Sequence, residues 1–304
     1  MAQTSGKVYL DFMRPFTLLP PALGMLSGSV VALGACGEAH RAIPLTIVVI
    51  LKIVTGGLLA ALLNAASNGI NQIYDLEIDK INKPTRPLPA GTMSLPAAWW
   101  TTVACYLTAL LLAGLISVHC AWLVGITALF TVAYSAPPLR TKRHWLLAAF
   151  TIAIPRGIFL KVAGWSVLRD MFTWEPWFLG GIFGLFLLGA TTTKDYADIL
   201  GDRRCGCSTL PIRFGIVRSI LMITPFFVLP FLLFPLGVYW QILTGNRVIL
   251  CGLGGSLCCW GGYVVYLLLR DPNSLAATEN HPSWSQMYLM MMYAQIGLGV
   301  AYLV

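Results

Sequence analysis

Nine apolar stretches of this chain are candidates for helices that cross a lipid bilayer, although the fourth is short. A spanning helix needs about 20 mostly apolar residues, because the hydrocarbon core is about 30 Å thick. The nine stretches cover residues 16–35, 43–74, 95–117, 120–134, 145–168, 177–193, 216–239, 248–269 and 287–303. Charged residues make up only 11% of the chain, which is about half their share in a soluble domain. We therefore predict an all-α, multi-pass protein embedded in membrane lipid, with residues 1–304 forming one transmembrane domain.

The lysines and arginines are distributed unequally between the two sides of this bundle. With the N-terminus inside, the cytoplasmic side holds fourteen of them: Lys7, Arg14, Lys80, Lys83, Arg86, Arg140, Lys142, Arg143, Lys194, Arg203, Arg204, Arg213, Arg218 and Arg270. The opposite side holds four: Arg41, Lys52, Arg169 and Arg247. Because basic loops stay cytoplasmic, this bias predicts a cytoplasmic N-terminus. The net charge of +8 follows from this topology, and no basic stripe with interleaved aromatic residues indicates nucleic-acid binding.

Half of the twelve acidic residues lie in two short segments: Asp75, Glu77, Asp79, Asp195, Asp198 and Asp202. Residues three, four and seven apart share a helix face. Asn71, Asp75 and Asp79 therefore form the first acidic column, and residues 195, 198 and 202 form the second. The offset from Asp75 to Asp198 equals that from Asp79 to Asp202, namely 123 residues. We predict two related helical halves, each of which brings one column to a shared cytoplasmic centre.

The two columns supply carboxylate and amide oxygens without paired His or Cys residues. Such donors select a hard cation such as Mg²⁺. The predicted metal ligands are Asn71, Asp75, Asp79, Asp195, Asp198 and Asp202. Among them, Asp75, Asp79, Asp198 and Asp202 are the predicted catalytic carboxylates. The Asn68 amide extends the polar face of span two and is a further candidate for substrate contact.

Basic residues accompany both columns. Lys83 and Arg86 lie in the proline-rich loop 80–91, and Arg140 and Lys142 follow the paired prolines that end span four. Arg14 precedes span one, and Lys194 directly precedes the second column. Arginine and lysine bind phosphate oxygens well, so these residues are candidate diphosphate ligands. The alternative is that they mark only the cytoplasmic side of the membrane.

Two further cations lie inside span five. Arg156 is near its middle, where a charge facing lipid costs several kcal/mol. We predict that Arg156 binds a motif carboxylate or an anionic substrate. Lys161 is a site candidate for the same reason, but it is closer to the far end, and the alternative is that its ammonium group reaches that interface.

A metal site that opens into an apolar helical bundle suits a molecule with a diphosphate head and a long apolar tail. That molecule is a polyprenyl diphosphate. Cations around the diphosphate promote its departure, and a dry cavity protects the resulting allylic cation from water. We therefore predict transfer of a prenyl group to a lipophilic or aromatic acceptor.

Several motifs resemble the UbiA superfamily of intramembrane prenyltransferases. They are N-x-x-x-D-x-x-x-D from Asn71, the tail Asn82-Lys83-Pro84-x-Arg86-Pro87-x-Pro89, the element Tyr134-Ser135-x-Pro137-Pro138, and D-x-x-D-x-x-x-D from Asp195. The resemblance implies nine spans around a central cavity with a lateral opening to lipid, two Mg²⁺ ions held by the acidic motifs, and Tyr134 among the substrate-binding residues. The basic tail is most similar to members that use geranylgeranyl diphosphate, such as digeranylgeranylglyceryl phosphate synthases and chlorophyll synthases.

Two other classes also carry acidic residues in membrane helices. A CDP-alcohol phosphotransferase requires a D-G-x-x-A-R core, which neither motif contains. A divalent-cation transporter would have carboxylates approaching the midplane from both halves, whereas these cluster beside cations at the cytoplasmic ends. The acceptor stays open, since a phenolic acid, a quinone precursor, a chlorophyllide or a glycerol phosphate would all fit.

Overall fold

The computed structural model describes residues 6–36, 42–277 and 281–304. The first five residues and Arg41, which enter the topology prediction, lie outside these ranges. Seventeen α-helices are described: α1 Gly6–Met13, α2 Leu19–Gly34, α3 Ile47–Tyr74, α4 Leu76–Asn82, α5 Leu95–Ile116, α6 Val118–Ser135, α7 Trp145–Ala153, α8 Leu160–Trp165, α9 Trp174–Ala190, α10 Asp195–Arg204, α11 Leu210–Phe214, α12 Ile216–Ile223, α13 Pro225–Val228, α14 Leu233–Tyr239, α15 Arg247–Arg270, α16 Ser274–Ala277 and α17 Pro282–Leu303. The all-α prediction is confirmed.

Within the described ranges, eight helical segments are long and apolar enough to cross a membrane. They are Pro15–Gly34, Ile47–Tyr74, Leu95–Ile116, Val118–Ser135, Trp145–Trp165, Trp174–Arg204, Ile216–Tyr239 and Arg247–Arg270. The ninth predicted span corresponds to α17, which is long enough but contains two glutamines, Gln286 and Gln295, that lower its hydropathy. Helix α17 packs against α2 and α15, so it belongs to the same bundle.

Short polar residues fix the starts of several spanning helices. The hydroxyls of Thr46, Ser94 and Ser117 each accept a backbone N–H from the first turn of α3, α5 and α6. Such caps satisfy N–H groups that have no partner within the helix. The exposed side chains on the spans are largely apolar, as at Leu115 and Trp122, which is the composition that lipid requires.

Helices of the bundle approach one another closely where glycines face each other. A Cβ on Gly28 would lie 3.0 Å from the Gly164 Cα, at the crossing of α2 and α8. Small residues permit this separation and favour helix association in membranes.

The two acidic motifs lie on units of similar design. Helix α3 is interrupted at Asp75 and continues as α4, while α9 is followed by a 3₁₀ turn at Thr191–Lys194 and continues as α10. The two short helices, α4 and α10, contact each other. This arrangement supports the predicted relation between the two halves.

Candidate active site

The first acidic column keeps its register although its helix is interrupted. Helix α3 ends one residue before Asp75, which has φ −101° and ψ 13°. The N–H groups of Asp75, Asp79 and Lys83 still donate to the carbonyl four residues earlier, at 2.9, 2.7 and 2.7 Å. Because the α-helical spacing continues through the break, Asn71, Asp75 and Asp79 share one face. The Asn71 amide donates to the Asp75 carboxylate at 2.7 Å.

The second acidic column begins with the first residue of α10. Asp195 and Asp198 lie in the first turn of this helix, where its dipole favours negative charge. Asp202 follows on the same face and is buried. The second column therefore starts where α9 has ended and projects from the tip of that spanning unit.

Direct contacts join the tips of the two units. The amide nitrogen of Asn82 donates to the Asp198 carbonyl at 3.2 Å, and its side-chain oxygen accepts the Gly201 N–H at 3.0 Å. A Cβ on Gly201 would lie 2.5 Å from this amide, so a larger residue there would displace the Asn82 side chain from its two hydrogen bonds. Lys83 Nζ lies 2.5 and 2.6 Å from the two carboxylate oxygens of Asp198. The two columns thus meet at the same end of the bundle.

Basic side chains neutralise the buried acids of the first column. Asp75 forms ion pairs with Lys142 and, at 3.3 Å, with Arg140. Arg86 Nη1 lies 2.6 Å from Asp79 Oδ2. Burial raises the pKa of Asp79, although the neighbouring Arg86 acts in the opposite direction. Such ion pairs offset part of the cost of burying the two carboxylates.

The donor chemistry of the site fits a hard metal ion. In the described part of the chain, no three Asp, Glu, His or Cys side chains converge closely enough to hold a metal by themselves. The six predicted ligands all line one cavity and offer only oxygen donors there. Mg²⁺ commonly takes one or two carboxylates and completes its shell with water and substrate phosphate. The donor set therefore fits Mg²⁺ shared with a phosphate-bearing substrate.

A cavity of about 220 Å³ connects the acidic columns with the apolar interior. It is lined by thirteen of the fifteen predicted site residues: Arg14, Asn71, Asp75, Asp79, Lys83, Arg86, Tyr134, Lys142, Arg156, Lys194, Asp195, Asp198 and Asp202. The rest of the wall is mostly apolar and includes Ile152, Leu160, Phe183, Leu187 and Met287. One end of this cavity is charged, and the remainder suits a hydrocarbon chain.

The other two predicted residues, Asn68 and Arg140, are not part of the cavity wall. The Asn68 amide donates to the Met13 carbonyl at 3.0 Å and to Thr17 Oγ1 at 2.8 Å. Arg140 donates to the Tyr74 carbonyl at 3.0 Å, at the end of α3. In this structure both side chains therefore bind neighbouring segments of the protein and do not face the cavity.

Arg14 reaches the cavity from a turn with unusual backbone geometry. Its φ of 60° and ψ of 68° are left-handed, which costs a residue other than glycine about 1–2 kcal/mol. The polar stripe of α3 holds this turn, since Asn64 and Gln72 donate to the carbonyls of Thr17 and Phe12 at 2.9 and 2.7 Å. Burial lowers the pKa of Arg14 to about 10, so its side chain stays cationic at neutral pH.

Lys161 does not reach the far interface, so the alternative considered for it does not apply. The residue is only 2% exposed. Its ammonium group donates to Ser27 Oγ and Gln295 Oε1 and lies 4.7 Å from the centroid of the Phe183 ring. Because lysine can only donate, it fixes the side-chain oxygen of Gln295 toward itself. Lys161 thus stabilises the part of the cavity wall that Gln295 and Phe183 form.

A bundle of membrane-spanning helices, paired acidic columns, adjoining cations and an apolar cavity together define an integral membrane enzyme for an anionic substrate with an apolar tail. A model of the UbiA prenyltransferase family matches residues 18–287. The chain therefore belongs to the UbiA prenyltransferase family, and it is a prenyltransferase. This membership confirms the predicted resemblance and sets aside the phosphotransferase and transporter alternatives.

Named relatives support the assignment. The chain is 32% identical over 216 residues to homogentisate phytyltransferase of Synechocystis sp., covering 69% of this chain and 68% of that protein. It is 32% identical over 222 residues to digeranylgeranylglyceryl phosphate synthase of Thermococcus kodakarensis, covering 70% and 71%. A UbiA homologue from Archaeoglobus fulgidus, solved bound to GPP and Mg²⁺, has a TM-score of 0.66 at 17% identity and covers 96% and 99% of the two chains. That structural likeness confirms the fold.

Proposed function

We propose that this prenyltransferase uses Mg²⁺ to transfer a geranylgeranyl group from its diphosphate to a lipophilic or aromatic acceptor. The contact between Asn82 and Gly201 carries the proposal, because it brings both acidic columns to one cavity. The charged end of that cavity suits a diphosphate, and its apolar length suits a prenyl chain. A digeranylgeranylglyceryl phosphate synthase and a homogentisate phytyltransferase among the relatives support such a donor and such acceptors.

The two columns are the proposed ligands of two Mg²⁺ ions. The first set is Asn71, Asp75 and Asp79, and the second is Asp195, Asp198 and Asp202. When bound, Mg²⁺ would neutralise the diphosphate and so make it a better leaving group.

The cations of the cavity are the proposed diphosphate ligands. Lys83, Arg86 and Lys142 contact carboxylates of the columns and can turn to phosphate oxygens when those carboxylates bind metal. Arg14 and Lys194 have no ion pair with any described residue, and Lys194 lies 5.4 Å from the centroid of the Trp284 ring. A diphosphate would therefore meet positive charge on several sides.

In the reaction, the allylic C–O bond of the donor breaks and the diphosphate leaves with the bonding electrons. The acceptor forms a new bond to the freed allylic carbon and loses a proton. The apolar wall around Phe183, Leu187 and Met287 keeps water away from the allylic cation. The residues of this chain thus act by binding, orienting and excluding water.

The basic loops beside the columns support a cytoplasmic location for this site. Residues 1–304 would act as a single transmembrane prenyltransferase domain. The donor would then enter from the inner leaflet with its diphosphate at the cytoplasmic surface and its tail within the bundle.

Replacement of one carboxylate from each column tests the proposal. We expect Asp75→Asn and Asp198→Asn each to lower Mg²⁺-dependent release of diphosphate from geranylgeranyl diphosphate by on the order of 100-fold or more, because each removes charge that the metal and the leaving group require. The measurement is diphosphate release by purified protein in detergent, with and without Mg²⁺.

Glu77→Gln is the matched control within the same motif. Glu77 is exposed and pairs with Lys80 at the surface, so its substitution should leave the rate unchanged. Full activity of Asp75→Asn and Asp198→Asn would refute the site, provided that their thermal unfolding matches the wild type.

A further inference from the structure

Arg156 lies on a helical segment of unusual geometry within the bundle. Residues Ile154–Phe159 form a π-helical turn between α7 and α8, a rare geometry that is frequent at functional sites. Pro155 lacks the N–H that an α-helical bond would require at this point. Eleven residues separate Arg156 from Trp145 at the start of α7, which places it about 16 Å along the helix. That depth is close to the middle of a hydrocarbon core about 30 Å thick.

The backbone around Arg156 is fixed by its contact with α9. A Cβ on Gly157 would lie 2.4 Å from the Gly184 Cα, so the two segments meet backbone against backbone. On the same side, a Cβ on Gly180 would lie 2.8 Å from the Ile158 carbonyl oxygen. Arg156 is therefore presented by a rigid helix crossing.

The guanidinium of Arg156 has no counter-ion among the described residues. Across residues 6–36, 42–277 and 281–304, no side chain forms an ion pair or hydrogen bond with it, whereas Lys83, Arg86, Arg140 and Lys142 all pair with carboxylates. A charge at this depth is costly unless it is paired or faces a cavity. This points to an anion that arrives with a ligand.

Arg156 also stands at the junction of two cavities. It lines the main cavity and a second one of about 50 Å³, which shares Pro21 and Leu160 with the first. The second cavity has an otherwise mostly apolar wall formed by α2, α3, α6 and the π-helical turn. An anion bound to Arg156 would thus be shielded from bulk water, which strengthens its attraction to the guanidinium.

We propose that Arg156 binds an acidic group of the acceptor, either a carboxylate or a phosphate, and so selects acceptors that carry one. This inference rests on the proposed function, because the acceptor must share the main cavity with the donor. The diphosphate of the donor already has five cations around the acidic columns: Arg14, Lys83, Arg86, Lys142 and Lys194. Arg156 lines the same cavity from within the spanning region, near enough to Arg14 for the two like charges to interact, and no described carboxylate pairs with it. It is therefore available to a second anion. Its planar guanidinium can pair with two oxygens of either acid.

Kinetics with acid and neutral acceptors test this assignment. The probes are homogentisate and its methyl ester, and geranylgeranylglyceryl phosphate and the corresponding alcohol, each with geranylgeranyl diphosphate and Mg²⁺. We expect the wild type to take at least one acid with a KM at least tenfold below that of its neutral counterpart. Arg156→Gln should remove this preference and leave the KM for the donor within about twofold, since one charge-assisted contact accounts for the difference.

Two further variants separate a lost contact from a damaged fold. Arg156→Lys keeps the charge but loses the paired geometry, and it should restore part of the preference for the acid. Arg218→Gln, at an exposed residue remote from the cavity, should change neither KM. The comparison of KM values for acid and neutral acceptors in the wild type tests the inference even if Arg156→Gln does not fold.

Two results with the wild type would overturn the inference: no reaction with either acid, or equal KM values for the acid and neutral forms. A third is an Arg156→Gln variant in which the KM rises for the donor and not for the acid. Failure of the proposed function gives a different result. In that case the wild type would release no diphosphate from any polyprenyl diphosphate with Mg²⁺, whatever acceptor is present.

Discussion

Lys80 and Lys83 are three residues apart, yet the structure gives them different surroundings. Lys83 is buried and contacts both carboxylate oxygens of Asp198. Lys80 lies at the surface and pairs with Glu77 at 2.7 Å. Ion pairs at a surface contribute little because water screens them, whereas a buried pair is strongly destabilised if one partner is lost. The same short segment thus contains one pair that belongs to the site and one that does not.

This contrast predicts opposite results for two similar substitutions. Lys83→Gln should raise the KM for geranylgeranyl diphosphate by about tenfold, because a charge-assisted contact to the diphosphate is lost. Lys80→Gln should leave the KM unchanged. Steady-state kinetics of diphosphate release in detergent would measure both, and equal KM values for the two variants would contradict the assignment of Lys83.

Single residues also show where prediction from sequence stops. The spacing of Asp75 and Asp79 was sufficient to place them on one face. The sequence could not show that the Asn68 amide would be occupied by the Met13 carbonyl, because nothing in a helical pattern states which segment packs against that face. The sequence left two directions open for the Lys161 side chain for a similar reason, since its partners, Ser27 and Gln295, come from helices distant in sequence.

At the level of helices, α4 and α10 bring the two halves of the site together. Neither is long enough to span a membrane, and each extends a spanning helix beyond an interruption. Their contact depends on a polar side chain, Asn82, that lies against a glycine, Gly201. The long apolar stretches predicted the spanning helices well, because lipid imposes a simple pattern. It did not identify Asn82 as the link, since a polar residue in a basic loop has many possible roles.

The close approach at Gly201 can be tested by adding one methyl group. Gly201→Ala should separate α4 from α10, lower the free energy of unfolding by about 1–3 kcal/mol through overpacking, and reduce Mg²⁺-dependent activity. Gly181→Ala is the control, because a Cβ at Gly181 has nothing within 4 Å. Thermal unfolding and diphosphate release would be measured for both variants. Wild-type activity of Gly201→Ala would show that the contact does not hold the site together.

Across the whole molecule, charge and hydropathy are arranged along one axis. The acidic columns and most of the basic residues lie at the predicted cytoplasmic end. The opposite end carries contacts such as that of the Glu175 carboxylate with the Thr244 N–H at 2.7 Å. The multi-pass, all-α architecture and the membership in an integral membrane family were predictable because they depend on composition over long stretches, although eight of the nine predicted spans meet the length and hydropathy criterion in the described residues. The cavity was not, since its shape depends on how the helices cross.

This axis predicts which residues can be labelled from each side of the membrane. In single-cysteine variants, Lys80→Cys should react with a membrane-impermeant maleimide only when the cytoplasmic face is accessible. The native Cys36, which is exposed at the end of α2, should react only from the opposite side. Labelling of right-side-out and inverted vesicles would measure this, and reaction of both positions from one side would contradict the topology.

The pairing of Lys83, Arg86 and Lys142 with the acidic columns has a thermodynamic consequence. A divalent ion that takes the carboxylates releases these three cations, which are then free for the diphosphate, and a bound diphosphate releases the carboxylates in return. On the proposed site, we therefore expect metal and donor to bind cooperatively, each raising the affinity for the other by the same factor. Such an enzyme would hold little metal in the absence of substrate and would bind metal fully only when the donor is in place.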